Sequence, residues 1–203
     1  AGAGSITLTT SGNDFGQAIS LTGGITQITD SNALTLGTLA TGNLTAISSG
    51  ALDLGSGTVN GALTATSNGG AITQSTTNAL GVTGTSNVNA GSGAITLTTS
   101  GNDFGQAVSL TGGTTQIGDS NALTLGTLTT GNLTATSAGA LNLGSGTVTG
   151  TLAATSNGGA ITQSTTNALV VTGAGTLNAG AGSITLTTSG NDFGQAVSLT
   201  GGS

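Results

Sequence analysis

The sequence predicts an all-β fold, a three-walled parallel β-solenoid, on three observations. A segment of 89 residues recurs: Ile-Thr-Leu-Thr-Thr-Ser-Gly-Asn-Asp-Phe-Gly-Gln-Ala starts at Ile6, at Ile95 and again at Ile184. Self-similarity at a fixed period marks units that bury their apolar faces against one another. The aliphatic residues fall in period-2 pairs flanked by Gly and Asn, the pattern of short strands between tight turns. Nowhere do apolar residues hold a 3.6 period over three turns, so no helix is expected.

Taken in order, the strand openings are Ala33-Leu-Thr-Leu, Ala51-Leu-Asp-Leu, Ala71-Ile-Thr-Gln and Ala94-Ile-Thr-Leu, and Ala122-Leu-Thr-Leu restarts the cycle. The steps are 18, 20, 23 and 28 residues, which together make 89. The first step holds three short strands, Leu34/Leu36, Leu39 and Leu44/Ala46, with turns at Gly37, Gly42 and Gly50. The next repeats the scheme as Leu52/Leu54, Val59 and Leu63/Ala65. Each step therefore reads as one triangular rung, and about nine rungs at the strand spacing give a rod roughly 40 to 45 Å long. The whole chain, 1–203, reads as one solenoid segment: 1–4 ends a preceding unit, 5–93 and 94–182 are complete units, and 183–203 begins another. An excerpt from a longer array, with any export signal upstream, is the expectation.

The two complete units differ at 17 of 89 positions and so test which side chains face inward. Ile19/Val108 and Val88/Leu177 change at inward positions and stay aliphatic. Ala40/Thr129, Asn60/Thr149 and Thr85/Ala174 are assigned to outward or turn positions. Ile25/Thr114 and Ile47/Thr136 exchange apolar for polar and are placed outside. Similar aliphatics stacked in a dry column, with Asn and Thr ladders beside them, allow so plain a composition to fold.

Composition narrows function. The chain has no Lys, Arg, His, Glu, Cys, Met, Trp, Tyr or Pro, and six Asp give a net charge of −6. Acid-base and nucleophilic catalysis draw mainly on groups that are missing here, which leaves Asp alone. Without Lys or Arg there is no footprint for nucleic acid, and anionic lipid would repel the chain. No run of 18 apolar residues is present to span a bilayer, so no membrane insertion is expected. Absence of Cys removes disulfides and thiolate metal sites and suits export in an unfolded state.

The phrases Gly-Ala-Ile-Thr-Leu-Thr, Asn-Asp-Phe-Gly-Gln-Ala-Val-Ser-Leu-Thr-Gly-Gly, Asp-Ser-Asn-Ala-Leu-Thr-Leu-Gly-Thr-Leu and Leu-Gly-Ser-Gly-Thr-Val run through the whole chain. They resemble the repeat arrays of giant filamentous-haemagglutinin-like exoproteins of Gram-negative bacteria. Those proteins are similar to two-partner-secretion adhesins. The resemblance implies a right-handed parallel β-helix threaded through an outer-membrane partner and extending from the cell surface. It also implies an extracellular location and a receptor contacted by regions outside this segment. The family's amino-terminal secretion domain and receptor-binding tip are not in this sequence.

Candidate sites are few. Asp14, Asp103 and Asp192 recur within Asn-Asp-Phe-Gly, assigned to the loop of the longest rung. As a functional group they would be weak calcium ligands or a sugar-contacting loop formed by Asn13, Asp14, Phe15, Asn102, Asp103, Phe104, Asn191, Asp192 and Phe193. The commoner alternative is an Asx-type turn with Phe packed beneath it. The Gly-Gly-x-Gly-x-Asp calcium nonapeptide is absent, and Asp53 becomes Asn142 in the next unit, so no metal or cofactor is expected. Asp30 and Asp119 are expected to cap a turn before Ser-Asn. The Asp-Phe-Gly triplet has no Lys partner to hold ATP phosphates and is no kinase signature. Asn43-Leu-Thr and Asn132-Leu-Thr fit the glycosylation sequon, a three-residue match common in such a chain.

The leading function is therefore a non-catalytic shaft of a secreted or cell-surface filamentous adhesin. Its partners would be neighbouring repeats and other shafts, associated end to end or laterally. Outward Thr arrays such as Thr7/Thr9 and Thr96/Thr98 make an ice-binding solenoid the alternative. A polysaccharide lyase or hydrolase ranks last, because the Asp residues stand singly and a carboxylate pair would have to form between rungs.

Overall fold

The computed structural model describes residues 2–202, and among them there are 25 strands and no helix. Every strand pairing is parallel, and the strands fall into two ladders of 12 and 13 members. One ladder path crosses ten consecutive strands, which makes about ten turns rather than nine.

Each turn visits three walls in the same order. The first wall runs through Ile6–Leu8, Thr26–Asp30, Leu44–Ser48, Leu63–Ser67, Ser86–Asn89 and Val108–Gly112. The second begins with the front of Leu34–Thr41 and runs through Leu52–Asp53, Ile72–Thr73, Ile95–Leu97, Thr115–Asp119 and Leu133–Ser137. The third comprises Ile19–Gly23, the rear of Leu34–Thr41, Ser56–Val59, Leu80–Val82 and Asp103–Phe104. Leu34–Thr41 and Leu123–Thr130 bend round a corner and so join two walls in one strand.

The 89-residue unit does not close on itself. Ile6 and Ser86 lie on the first wall four turns apart, yet Ile95, the repeat of Ile6, stands on the second. A unit therefore spans four and a third turns, and each repeat of the sequence is carried round by one wall. Thr26–Asp30 stacks on the first wall, for example, while its copy Thr115–Asp119 stacks on the second. This corrects the reading of the 28-residue step as one long rung. Ile95 to Thr115 already completes a turn, and the stretch on to Leu123 adds the extra wall.

Alternation sets the core. On the first wall Ile28, Ala46, Ala65, Val88 and Leu110 stack in one inward column, all essentially buried. Ile25 is 54% exposed and Ile47 half-buried, with Thr114 and Thr136 outside, as the apolar-to-polar exchanges imply. One inward change escaped the sequence comparison: Ser86, 3% exposed, becomes Gly175.

Corners are tied by side chains. Ser48 Oγ donates to the Gly50 and Ala51 carbonyls at 2.7 and 2.9 Å, and Ser137 Oγ to those of Gly139 and Ala140 at 2.6 and 3.1 Å. Such serine turns give corner carbonyls a side-chain partner, and those of Ala51 and Ala140 also accept the Leu34 and Leu123 N–H groups of the adjacent turn. Gly55 makes the tightest approach to main chain among the described residues: with φ of +62°, its place for a Cβ lies 2.0 Å from the Gly37 carbonyl oxygen one turn below, so only glycine fits.

Candidate functional site

The three Asn-Asp-Phe-Gly motifs do not form a row. Asp103–Phe104 is a strand of the third wall, paired with Gly81 and Val82. Asp192–Phe193 is a strand of the first, paired with Val170 and Val171. The chain passes Asp14 between the first-wall strand Ile6–Leu8 and the third-wall strand Ile19–Gly23, which sets it on the second. Each motif thus faces a different side of the rod.

Within the fully stacked motif, Asn102 is 0% and Phe104 1% exposed, so of the proposed contact residues there only Asp103 reaches solvent. Phe104 packs into the core between turns; Phe15 and Phe193 are half-buried against it. Asn102 and Gln74 form a reciprocal amide pair at 2.7 and 2.8 Å. Asn102 Oδ1 also accepts the Leu80 N–H at 3.0 Å, and its Nδ2 donates to the Leu97 carbonyl at 3.2 Å. Every hydrogen-bonding position used is buried and filled, which describes a structural bolt. Gln163 and Asn191 repeat it at 2.6 and 2.8 Å. Sequence reasoning missed this pair, although Gln74 and Gln163 each precede their Asn by the same 28 residues.

Asp119 does cap the turn before Ser120-Asn121, with Oδ1 accepting the Asn121 N–H at 2.6 Å. Its Oδ2 reaches one turn back to accept the Phe104 N–H at 2.7 Å. Asp30 does the same for Asn32 at 2.6 Å and Phe15 at 2.8 Å. Burial pushes the Asp119 carboxyl above its ordinary value, and the Asp103 charge adds to the rise, against the two backbone N–H groups that favour the ionised form. Both Asp119 oxygens are committed to the main chain.

Asp53 Oδ1 accepts the Gly55 N–H at 2.8 Å, and Asn142 Oδ1 accepts that of Gly144 at the same distance. An amide oxygen replaces a carboxylate because the turn needs only an acceptor. The sequon asparagines are likewise engaged, Asn43 Oδ1 with the Ala62 N–H and Asn132 Oδ1 with that of Thr151, both at 2.9 Å. Among the described residues no three acidic, His or Cys side chains gather where a metal ion could be held.

Surface relief is shallow. A cleft of about 440 Å³ at Ser20, Thr38, Asp53 and Ser75 has its repeat, about 420 Å³, at Ser109, Thr127, Asn142 and Ser164. A groove of about 430 Å³ lies over Gly118, between Thr98, Thr134 and Thr136. Outward Thr columns are short: Thr111, Thr129 and Thr147 stack on the first wall between Asn89 and Val170. On the second wall Thr96, Thr134 and Thr176 alternate along one column with Gln116, Ala153 and Ser198.

Residues 1–22, 41–111 and 130–200, most of the chain, match a family described as repeats of unknown function (DUF5649). The last two stretches are 89 residues apart at both ends, so the match keeps the phase of the internal repeat. No curated protein and no solved structure matches the chain.

Proposed function

The chain belongs to the family described as repeats of unknown function (DUF5649), and from that premise we propose that it is a rigid shaft of a secreted, cell-surface filamentous adhesin. The shaft holds a binding tip away from the cell and performs no catalysis itself. One observation carries this reading: the ladders run through the junction between units. Ser86–Asn89 of one unit pairs with Val108–Gly112 of the next, and Ile72 with Ile95. A rod continuous across its repeats lengthens by simple addition. The resemblance to haemagglutinin-like arrays supports the adhesin and the outer-membrane route. The near-neutral walls of Thr, Ser, Gly and Asn support end-to-end or lateral association with other shafts. Alternation of Thr with Gln, Ala and Ser argues against an ice-matching lattice.

Electron microscopy of chains with two, four and six units tests the shaft. At four and a third turns per unit, length should grow by about 21 Å per unit at constant width. Growth nearer the square root of chain length, as for a flexible linker, would refute it. Surface labelling of intact and permeabilised cells tests the location.

A further inference from the structure

Three Asn-Gly pairs occur in the chain, Asn60-Gly61, Asn68-Gly69 and Asn157-Gly158, and all three asparagines are exposed. Such pairs can rearrange without an enzyme. The glycine amide nitrogen attacks the asparagine Cγ, ammonia leaves with the side-chain nitrogen, and a cyclic imide forms. Water then opens the imide at one carbonyl or the other, to give aspartate or isoaspartate. The first step needs the glycine N–H free to lose its proton.

Two of the three are held. The Gly69 N–H donates to the Ser67 carbonyl and the Gly158 N–H to that of Ser156, each at 2.9 Å. Those serines are themselves fixed, each Oγ donating to the carbonyl of Gly70 or Gly159. At the third pair Gly61 only accepts, its carbonyl taking the Gly84 N–H at 3.0 Å, while its own N–H meets no acceptor among the described residues. The other unit carries Thr149-Gly150 here, and the Gly150 N–H donates to the Gly131 carbonyl at 3.0 Å. Nor can a bulkier residue slow the reaction by replacing Gly61. A Cβ there would lie 2.0 Å from Asn43 Oδ1, which the Ala62 N–H fixes at 2.9 Å.

We propose that Asn60 is a selective deamidation site, at which the folded shaft acquires one negative charge with age. In the isoaspartate product the main chain also gains a methylene at the corner between Ser56–Val59 and Leu63–Ser67.

The test holds the folded protein in mildly alkaline buffer, follows acidic species by isoelectric focusing, and maps them by elastase peptide mass spectrometry. Asn60 should react about tenfold or more faster than Asn68 or Asn157, and in denaturant the three rates should converge. Asn60→Thr, the residue the other unit uses, should remove the fast acidic species while circular dichroism stays unchanged. Equal rates at the three sites in the folded protein would overturn the proposal, as would an unchanged acidic species in Asn60→Thr.

Discussion

The unit 5–93 and the unit 94–182 carry nearly the same sequence on different walls, and what they keep separates structure from decoration. Gln74–Asn102 and Gln163–Asn191 preserve the same reciprocal amide pair, one wall apart. Outside, Gly81 in one unit corresponds to Val170 in the other, and Thr29 to Gly118. Inside, Ile19 becomes Val108 and stays aliphatic, while a second change is paired: Ser86 with Val88 becomes Gly175 with Leu177, and Leu177 Cδ1 comes within 3.6 Å of where a Gly175 Cβ would stand. A side chain's inward or outward direction, rather than the wall it occupies, decides what is tolerated.

The largest effect should come from breaking the equivalence of the phenylalanines. Phe104 is enclosed by turns on both sides and Phe15 is half-buried. Phe104→Ala should cost about 3–5 kcal/mol through lost transfer energy and a cavity. Phe15→Ala should cost roughly half as much, because part of its surface already meets water. Urea unfolding followed by circular dichroism compares them; equal costs would mean that both rings share one environment.

Next in size is the amide pair. Asn102→Ala strands both ends of the Gln74 amide and the Leu80 N–H, an expected loss of about 1–3 kcal/mol for buried groups left unpaired. Asn191→Ala should cost less, because Asn191 is only partly buried. The pair would prove decorative if thermal unfolding showed Asn102→Ala within about 0.5 kcal/mol of the parent, the range of ordinary surface changes.

The walls and their inward faces were legible in the sequence because period-2 alternation encodes burial directly. The Asp30 and Asp119 turn caps were legible too, through local Asx chemistry. The phase of the repeat was not: equal strand openings at Ala94 and Ala122 hide the fact that they stand on different walls. A period in sequence measures chain length, whereas a wall is set by corners, and corner geometry depends on contacts with the turn below. The Asn102–Gln74 bolt and the reach of Asp119 back to Phe104 were hidden for the same reason, since each joins adjacent turns. The packed-Phe alternative was legible and holds at Phe104, whereas the burial of Asn102, weighed as part of a contact loop, was not.

The coupled change at Ser86 and Val88 sharpens the comparison further. Ser86 Oγ is buried without a hydrogen-bond partner. Ser86→Gly alone removes that hydroxyl but leaves a void, and Val88→Leu alone crowds it. Together they recreate the Gly175–Leu177 packing. A double-mutant cycle should give a favourable coupling of about 1 kcal/mol; additivity would show that the two units solve this position independently.

The Asp119 carboxyl makes a smaller, pH-dependent contribution. Its folded pKa lies above the ordinary value of 3.8, so between the two the folded state binds more protons than the unfolded one. This group's contribution is therefore most favourable below 3.8 and declines as pH rises through the raised folded value. Asp119→Asn keeps an acceptor for the Asn121 N–H and cannot titrate, so the stability profile should lose that decline. Urea midpoints measured across the acid range compare the two; an unchanged slope would place the titration elsewhere.

The smallest effect should also change sign. Gly81 sits mid-strand in Leu80–Val82, and a Cβ there would meet nothing closer than 3.9 Å, at the Gly57 carbonyl oxygen and Thr58 Cγ2. Glycine loses more backbone entropy on folding than other residues, and valine suits a half-buried pleated surface. Gly81→Val should therefore stabilise the rod by about 0.5–1 kcal/mol, and Val170→Gly should destabilise it by the same amount. Such symmetry requires the third wall at Gly81 and the first wall at Val170 to offer the same surroundings, with Asp103 beside one and Asp192 beside the other. If the two changes in thermal midpoint differ in size, the walls are not interchangeable, and the rotation of each unit by one wall has been tuned to the position it reaches.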